Sequence, residues 1–200
     1  QSSVNPLIIR DLVNVLLKLP AEHSARFVQK LSKWTHQNNG VFFCRQLAKL
    51  TTHLAEGEMS REALALLAAL LAIERVPAER DSEYFYKPVK PRINMYEYRH
   101  VVEDQLPPML ERNGPEVLDI LCKILKKSAK LSRRSASVEE WDDNSTVWLR
   151  DLSVGDEEDH DDARNILAMT IRATAESLLR GGRVELGPLV EALESRRWLI

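Results

Sequence analysis

Apolar residues recur three and four positions apart along most of the chain, and glycine is scarce. That spacing predicts an all-α protein. Asn5 caps a first helix with Pro6 at its first position, running to about Leu19. Pro20 opens a second, in which Phe27, Val28, Leu31 and Trp34 share one face and Arg26, Lys30 and Lys33 the opposite one. "QNNG" closes it, since Asn and Gly accept a left-handed turn. A third helix carries Phe43, Leu47, Leu50 and Leu54 and stops at Gly57. Ser60 starts a fourth, apolar almost all round through Leu64, Leu66, Leu67, Leu70, Leu71 and Ile73. A helix with so little polar face must be covered on more than one side.

The periodicity breaks at "VPAERDSEYFYKPVKPRIN", read as a long connection or a short extended excursion. Asn94 caps a fifth helix with Tyr98, Val101 and Val102, and Pro107 and Pro108 predict a kink or a fresh start. "NGP" at Asn113 reads as a stop and restart. The sixth helix buries Val117, Leu118, Leu121, Ile124 and Leu125. A seventh starts near Asp161, uses Ala163, Ile166, Leu167, Thr170, Ile171 and Leu178, and ends at "RGGR". Pro188 begins a last one with Leu189, Val190 and Leu193.

These elements divide into a helical segment over 1–80, a linker over 81–94, a helix pair over 95–131, a polar acidic linker over 132–160 and a second pair over 161–200. "FVQKLSKW" and "LVEALESRRW" resemble one another. Antiparallel pairs with weak internal similarity predict stacked irregular repeats, an α-solenoid. A closed helical bundle is the competing architecture.

Composition narrows the function classes. The 200 residues are 44% hydrophobic, enough for a sizeable core. A net charge of -2 gives no global attraction to nucleic acid or anionic membrane. No apolar run reaches the roughly 18 residues that cross a bilayer. Cys44 and Cys122, far apart in apolar patterns, read as buried free thiols in a reducing, cytoplasmic setting. The "NST" at Asn144 is then a chance sequon, and "RRSAS" a weak kinase signal. Gln1 at the start and the apolar end "ESRRWLI" lead us to expect a piece of a longer chain.

No phosphate-binding loop, GxSxG elbow or HExxH is present, and the five histidines share no ligand spacing with the cysteines. His53 reads as a helix-end cap. The run "GDEEDHDD" places six carboxylates and one histidine within Asp156 to Asp162. It lacks the register of a calcium loop. Paired-carboxylate hydrolysis needs groups converging from different elements. The reading as a helix start is simpler, with Asp159, Asp161 and Asp162 accepting free backbone N–H groups. Partner contact and a metal site are its alternatives. Two basic stretches suit polyanions: Lys87, Lys90, Arg92 and Arg99 interleaved with tyrosines, and Lys123, Lys126, Lys127, Lys130, Arg133 and Arg134 at the end of the sixth helix. The aromatic residues Tyr84, Phe85, Tyr86, Tyr96, Trp141 and Trp148 are candidate partner anchors, or pins for their own loops.

From Tyr96 to Ile200 the chain resembles the helical arrays of large bacterial multidomain proteins. The similarity lies in the order of a Trp-Leu-Arg segment (148–150), an acidic linker, an Asp-Asp-Ala-Arg helix start (161–164) and a helix ending Ser-Arg-Arg-Trp (195–198). Such proteins often join an effector and a STAND-type NTPase module to a HEAT-like tail, and many are linked to antiphage defence. The resemblance implies a HEAT-like fold and a repeat-linking acidic segment in which Arg150 or Arg164 pairs the acids. The expectation is a non-enzymatic scaffold or sensor segment without cofactor or metal. It would bind a protein partner, or other modules of its own polypeptide, and no membrane. Nucleic-acid binding through residues 87–99 and 123–134 is the alternative, and an enzyme reading rests on the acids alone.

Overall fold

The Asn5 side chain accepts a hydrogen bond from the Leu7 N–H at 2.9 Å, and Pro6 follows as the first helical residue. One orphan donor is thereby satisfied and another does not exist, so the chain enters its first helix here. The computed structural model describes residues 5–38, 43–76, 89–132 and 162–194. The described residues are mostly helical: α1 (Pro6–Leu16), α2 (Ala21–Ala25), α3 (Val28–Asn38), α4 (Cys44–Glu56), α5 (Ser60–Leu70), α6 (Met95–His100), α7 (Leu106–Ser132), α8 (Ala163–Arg180) and α9 (Leu186–Glu194). Two short strands, β1 (Ile73–Arg75) and β2 (Val89–Pro91), pair with each other. The chain groups into two compact units, Gln1–Ala72 with Pro91–Ile120 and Ile73–Lys90 with Leu121–Ile200. The residues expected to form one helix pair over 95–131 thus divide between the two.

The first unit is organised around α4, which is contacted by α1, α2, α5 and α6, while α3 packs on α5. The breadth of its buried surface explains this. Cys44, Leu47, Ala48, Leu50, Thr51, Leu54 and Ala55 are all buried, more than one stripe of a helix. The single helix expected from Pro20 is two. Helix α2 ends after Ala25, and α3 begins at Val28. The buried Ser24 hydroxyl donates to the Leu16 carbonyl at 2.7 Å, tying α2 to the end of α1. His53 does not cap its own helix; its Nε2 lies 2.9 Å from the Leu19 carbonyl oxygen. A carbonyl only accepts, so Nε2 carries the proton and pins the turn after α1.

Of the three helix ends that glycine was expected to close, the one at "QNNG" lies outside the described residues, and the other two place a left-handed residue just after the helix cap. After α4 the Glu58 N–H donates to the Ala55 carbonyl and the Met59 N–H to the Leu54 carbonyl. That is the Schellman pattern, and it puts Glu58 at φ 64°. Gly57 is needed for space instead: a Cβ there would lie 2.1 Å from the Ala21 Cβ of α2. After α8 the same pattern joins Gly182 to Leu179 and Arg183 to Leu178, and there the left-handed residue, at φ 64°, is a glycine.

The prolines at 107, 108 and 115 distort the helix without ending it. A π-helical turn, Val101–Gln105, leads from α6 into α7, and the Leu106 N–H reaches back to the Val101 carbonyl. Pro107 and Pro108 have no N–H to donate, and their rings crowd the carbonyls four residues earlier; the wider turn relieves that crowding. At "NGP" the helix also continues. Only Asn113 leaves helical geometry, at φ -129° and ψ 37°, and its side-chain amide donates to Ser60 Oγ at 2.9 Å.

In the second unit Ile73 starts a strand, whereas periodicity had assigned it to the fourth helix. The strands are joined across by Lys90 and Glu74 at 3.6 Å, and Arg75 Nε donates to the Leu131 carbonyl at 2.8 Å. Val117 and Leu118 of α7 are buried in the first unit and Leu121, Ile124 and Leu125 in the second. In α8 Ala163, Ile166, Leu167, Ile171 and Leu178 are buried as their spacing predicts. Helix α9 begins at Leu186, two residues before the expected Pro188.

Gly57→Ala should destabilise the chain by about 1–3 kcal/mol, because the added methyl overpacks α2 against α4. Glu58→Gly should stabilise it by about 0.5–1 kcal/mol, since left-handed strain is relieved in part against a more flexible unfolded chain. Urea unfolding followed by circular dichroism reads both, and opposite signs for the two would reverse the assignment of their roles.

Candidate functional site

The charged side chain buried most deeply among the described residues is Arg164, 1% exposed, on the first turn of α8. It is buried because its partners are fixed by neighbouring geometry. Asp162 caps α8: Oδ1 accepts the Arg164 N–H at 2.8 Å. The same carboxylate takes Arg164 Nε at 2.9 Å and 3.1 Å through its two oxygens, and Nη2 closes the fork on Oδ2. Nη1 donates to Ser132 Oγ at 3.0 Å, and that hydroxyl donates to the Ser128 carbonyl at 3.0 Å. The planar guanidinium suits such a fork. One arginine thereby joins the last turn of α7 to the cap of α8, across the 29 residues between Ser132 and Asp162. The neighbouring Asn165 is 8% exposed, and its Oδ1 has no hydrogen-bond partner among the described residues.

A second cluster lies in the first unit between α4 and α6. Arg45 Nη2 donates to Tyr96 Oη at 3.1 Å, and the guanidinium carbon lies 5.5 Å from the Tyr96 ring centre. Arg45 Nε lies 3.4 Å from Glu97 Oε1. The Tyr96 hydroxyl first, then Glu97, raises the Arg45 pKa further. Cys44, one residue away, faces inward; burial first and then the Glu97 charge push its thiol up to about 12. A thiol so raised stays protonated at neutral pH and is a poor nucleophile. Burial likewise raises the Tyr98 phenol, whose hydroxyl is 3.4 Å from the Leu71 carbonyl oxygen.

Of the aromatic candidates, Tyr96 is 68% exposed and engaged with Arg45. Tyr84, Phe85, Tyr86, Trp141 and Trp148 lie outside the described residues, as do Lys87, Arg133, Arg134, Arg150, Asp159 and Asp161. Lys90 is paired with Glu74, and Arg92 and Arg99 are half-buried. On α7, Lys123, Lys127 and Lys130 are exposed at spacings of four and three, and Lys126 is half-buried. Of the expected acid–arginine cluster, Asp162 and Arg164 are brought together. Among the described residues no three His, Cys, Asp or Glu side chains are placed to hold a metal ion, and no helix is long and apolar enough to cross a membrane.

Comparison with protein-family models, curated proteins and solved structures gave no match. The surface chemistry of the chain itself is therefore what bears on function. Two contributors escaped the sequence reading. Ser132 was assigned to a linker, and nothing local marks it as the far end of an arginine fork. The outer face of α1 was missed as well, although Ile8, Leu12, Val15 and Leu19 recur at spacings of four, three and four. Ile8 is 62% exposed, Val15 54% and Leu19 38%, while Ile9, Val13 and Leu16 face the core.

Asp162→Ala should cost about 3 kcal/mol, the low end for breaking a buried ion pair because the carboxylate is 27% exposed. The double change Asp162→Ala with Arg164→Met should cost clearly less than the sum of the single ones in chemical unfolding. Strict additivity would remove the clamp. Alkaline pH should also destabilise the fold. The unfolded Cys44 thiol loses its proton near 9.0 and the folded one near 12, so the unfolded chain binds fewer protons in between and stability falls as pH rises through that window. Tyr98, raised from 10.0, adds the same sign above that pH. Unfolding midpoints across the window should fall less steeply for Cys44→Ala than for the unchanged chain.

Proposed function

We propose that this chain is a non-enzymatic helical scaffold or sensor segment. It works by seating an apolar helix face on a protein partner or on another module of its own polypeptide. The observation that carries the reading is the outer face of α1, where Leu7 is 46% exposed beside Ile8 and Val15. Among the described residues seven large hydrophobic side chains are exposed, and four of them, Leu7, Ile8, Val15 and Leu19, belong to this helix and its following turn. Single exposed apolar residues need no explanation, but a continuous row on one helix marks an interaction surface. The buried thiol at Cys44 and the closed Arg164–Asp162 fork fit a structural use of polar groups. A HEAT-like array of stacked helix pairs, as in bacterial STAND-type defence proteins, is the architecture in which such a face is ordinarily covered by the next pair. A cytoplasmic setting agrees with the free cysteines.

Nucleic-acid binding is the second reading, supported by the exposed row Lys123, Lys127 and Lys130 on α7. Retention on single-stranded RNA or DNA that weakens with salt would favour it, and absence of retention at low salt would remove it.

Lys18 stands beside the α1 face. Amine-reactive cross-linking in cells, read by mass spectrometry, should join Lys18 to another polypeptide or module. Ile8→Asp with Val15→Asp should remove those links while leaving helicity unchanged. Links that persist in the double variant, or their absence in the unchanged chain, would overturn the docking reading.

A further inference from the structure

Helix α1 is apolar on two sides and covered on one. Its inner row, Ile9, Val13 and Leu16, is 1%, 0% and 1% exposed. The outer row of Ile8, Leu12, Val15 and Leu19 is spaced four, three and four along the chain. Read backwards, that spacing is the same. Leu12 is half-buried, and Leu19 follows the helix in a turn whose Lys18 and Leu19 N–H groups bond three residues back; an antiparallel copy would set Leu12 opposite Val15 and Ile8 opposite that turn. The charges beside the row agree. Asp11 and Lys18, both exposed and seven residues apart, lie on one edge of it. In the antiparallel register Asp11 falls two residues, about 3 Å, from the level of Lys18 on the other copy. The two-fold of an antiparallel pair brings this edge of both copies to the same side, so two Asp11–Lys18 pairs form there, whereas a parallel pair would put the edges on opposite sides and form neither. Asp11 is also paired with its neighbour Arg10 at 3.1 Å, and both side chains are solvent-exposed.

We propose that the occupant of this face is a second copy of the same chain, joined as an antiparallel α1–α1 pair about a two-fold axis. The proposal rests on the docking reading above and names its partner. A face repeated on both subunits must be self-complementary, and the reversal symmetry of the row together with the Asp11–Lys18 edge meets that requirement. One helix face is smaller than the roughly 800 Å² per partner of a standard stable interface, so the pair is weak, with half-association at roughly tens of micromolar.

Sedimentation velocity on the full chain from about 1 µM to about 1 mM tests it. The unchanged chain should pass from monomer to dimer. Ile8→Asp with Val15→Asp, both at exposed positions, should stay monomeric with unchanged circular dichroism. Asp11→Lys alone and Lys18→Glu alone should each weaken the dimer about fivefold, and an equimolar mixture of these two variants should restore it. A chain monomeric at every concentration overturns the proposal. So does a dimer that survives Ile8→Asp with Val15→Asp, or a pair of charge variants that fail to rescue one another. A monomer whose Lys18 cross-links to another protein still vanish in the double variant overturns self-pairing and leaves the docking reading in place. A monomer whose cross-links are unaffected overturns both.

Discussion

The buried surface of α4 is wider than one helix can cover. With Leu47, Leu50 and Leu54 on one side and Cys44, Ala48, Thr51 and Ala55 beside them, water must be kept from close to half of its circumference, a face wider than the usual single stripe. The first unit follows from that demand. Helices α1, α2, α5 and α6 each close part of the surface. The missing side chain at Gly57 lets α2 come close enough to seal the far end. The hydroxyl of Ser24 and the ring of His53 then satisfy carbonyls left open at the end of α1 and in its following turn, so closing the core leaves those acceptors paired.

The second unit meets a different difficulty. Helices α7 and α8 are separated in sequence by a long polar stretch, and apolar packing by itself does not specify how the two chain ends meet. Arg164 supplies the directional part. Its fork reads one carboxylate and one hydroxyl at fixed distances, which hydrophobic contact cannot do. A buried ion pair adds little net stability over an apolar replacement, but losing one partner is costly, so the clamp acts on specificity more than on strength. The acids that first suggest catalysis or metal binding contribute, at Asp162, a helix cap and a counter-charge.

The two units show different degrees of legibility. The apolar stripes of α4, of α5 and of the later part of α7 were readable because burial on a helix leaves a period of 3.6 in the sequence. The caps at Asn5 and Asn94 were readable because capping is a contact between near neighbours. The break inside the second expected helix was not, since Arg26 and Phe27 carry no proline or glycine to announce it. The strand at Ile73 was not, because three residues are too few to show alternation.

By itself the sequence determined the helical class, the faces that go inward and the points where prolines and asparagines disturb the backbone, because each depends on residues within one or two turns of each other. Tertiary structure decided the rest, because it depends on residues that meet only after folding. Glu58 rather than Gly57 takes the left-handed position, since Ala21 arrives from another helix to occupy the space beside Gly57. The prolines at 107 and 108 widen a helix instead of ending it, since the turns on either side are held by packing. Asp162 faces Arg164, and Ser132, thirty residues earlier, completes that arginine's hydrogen bonding.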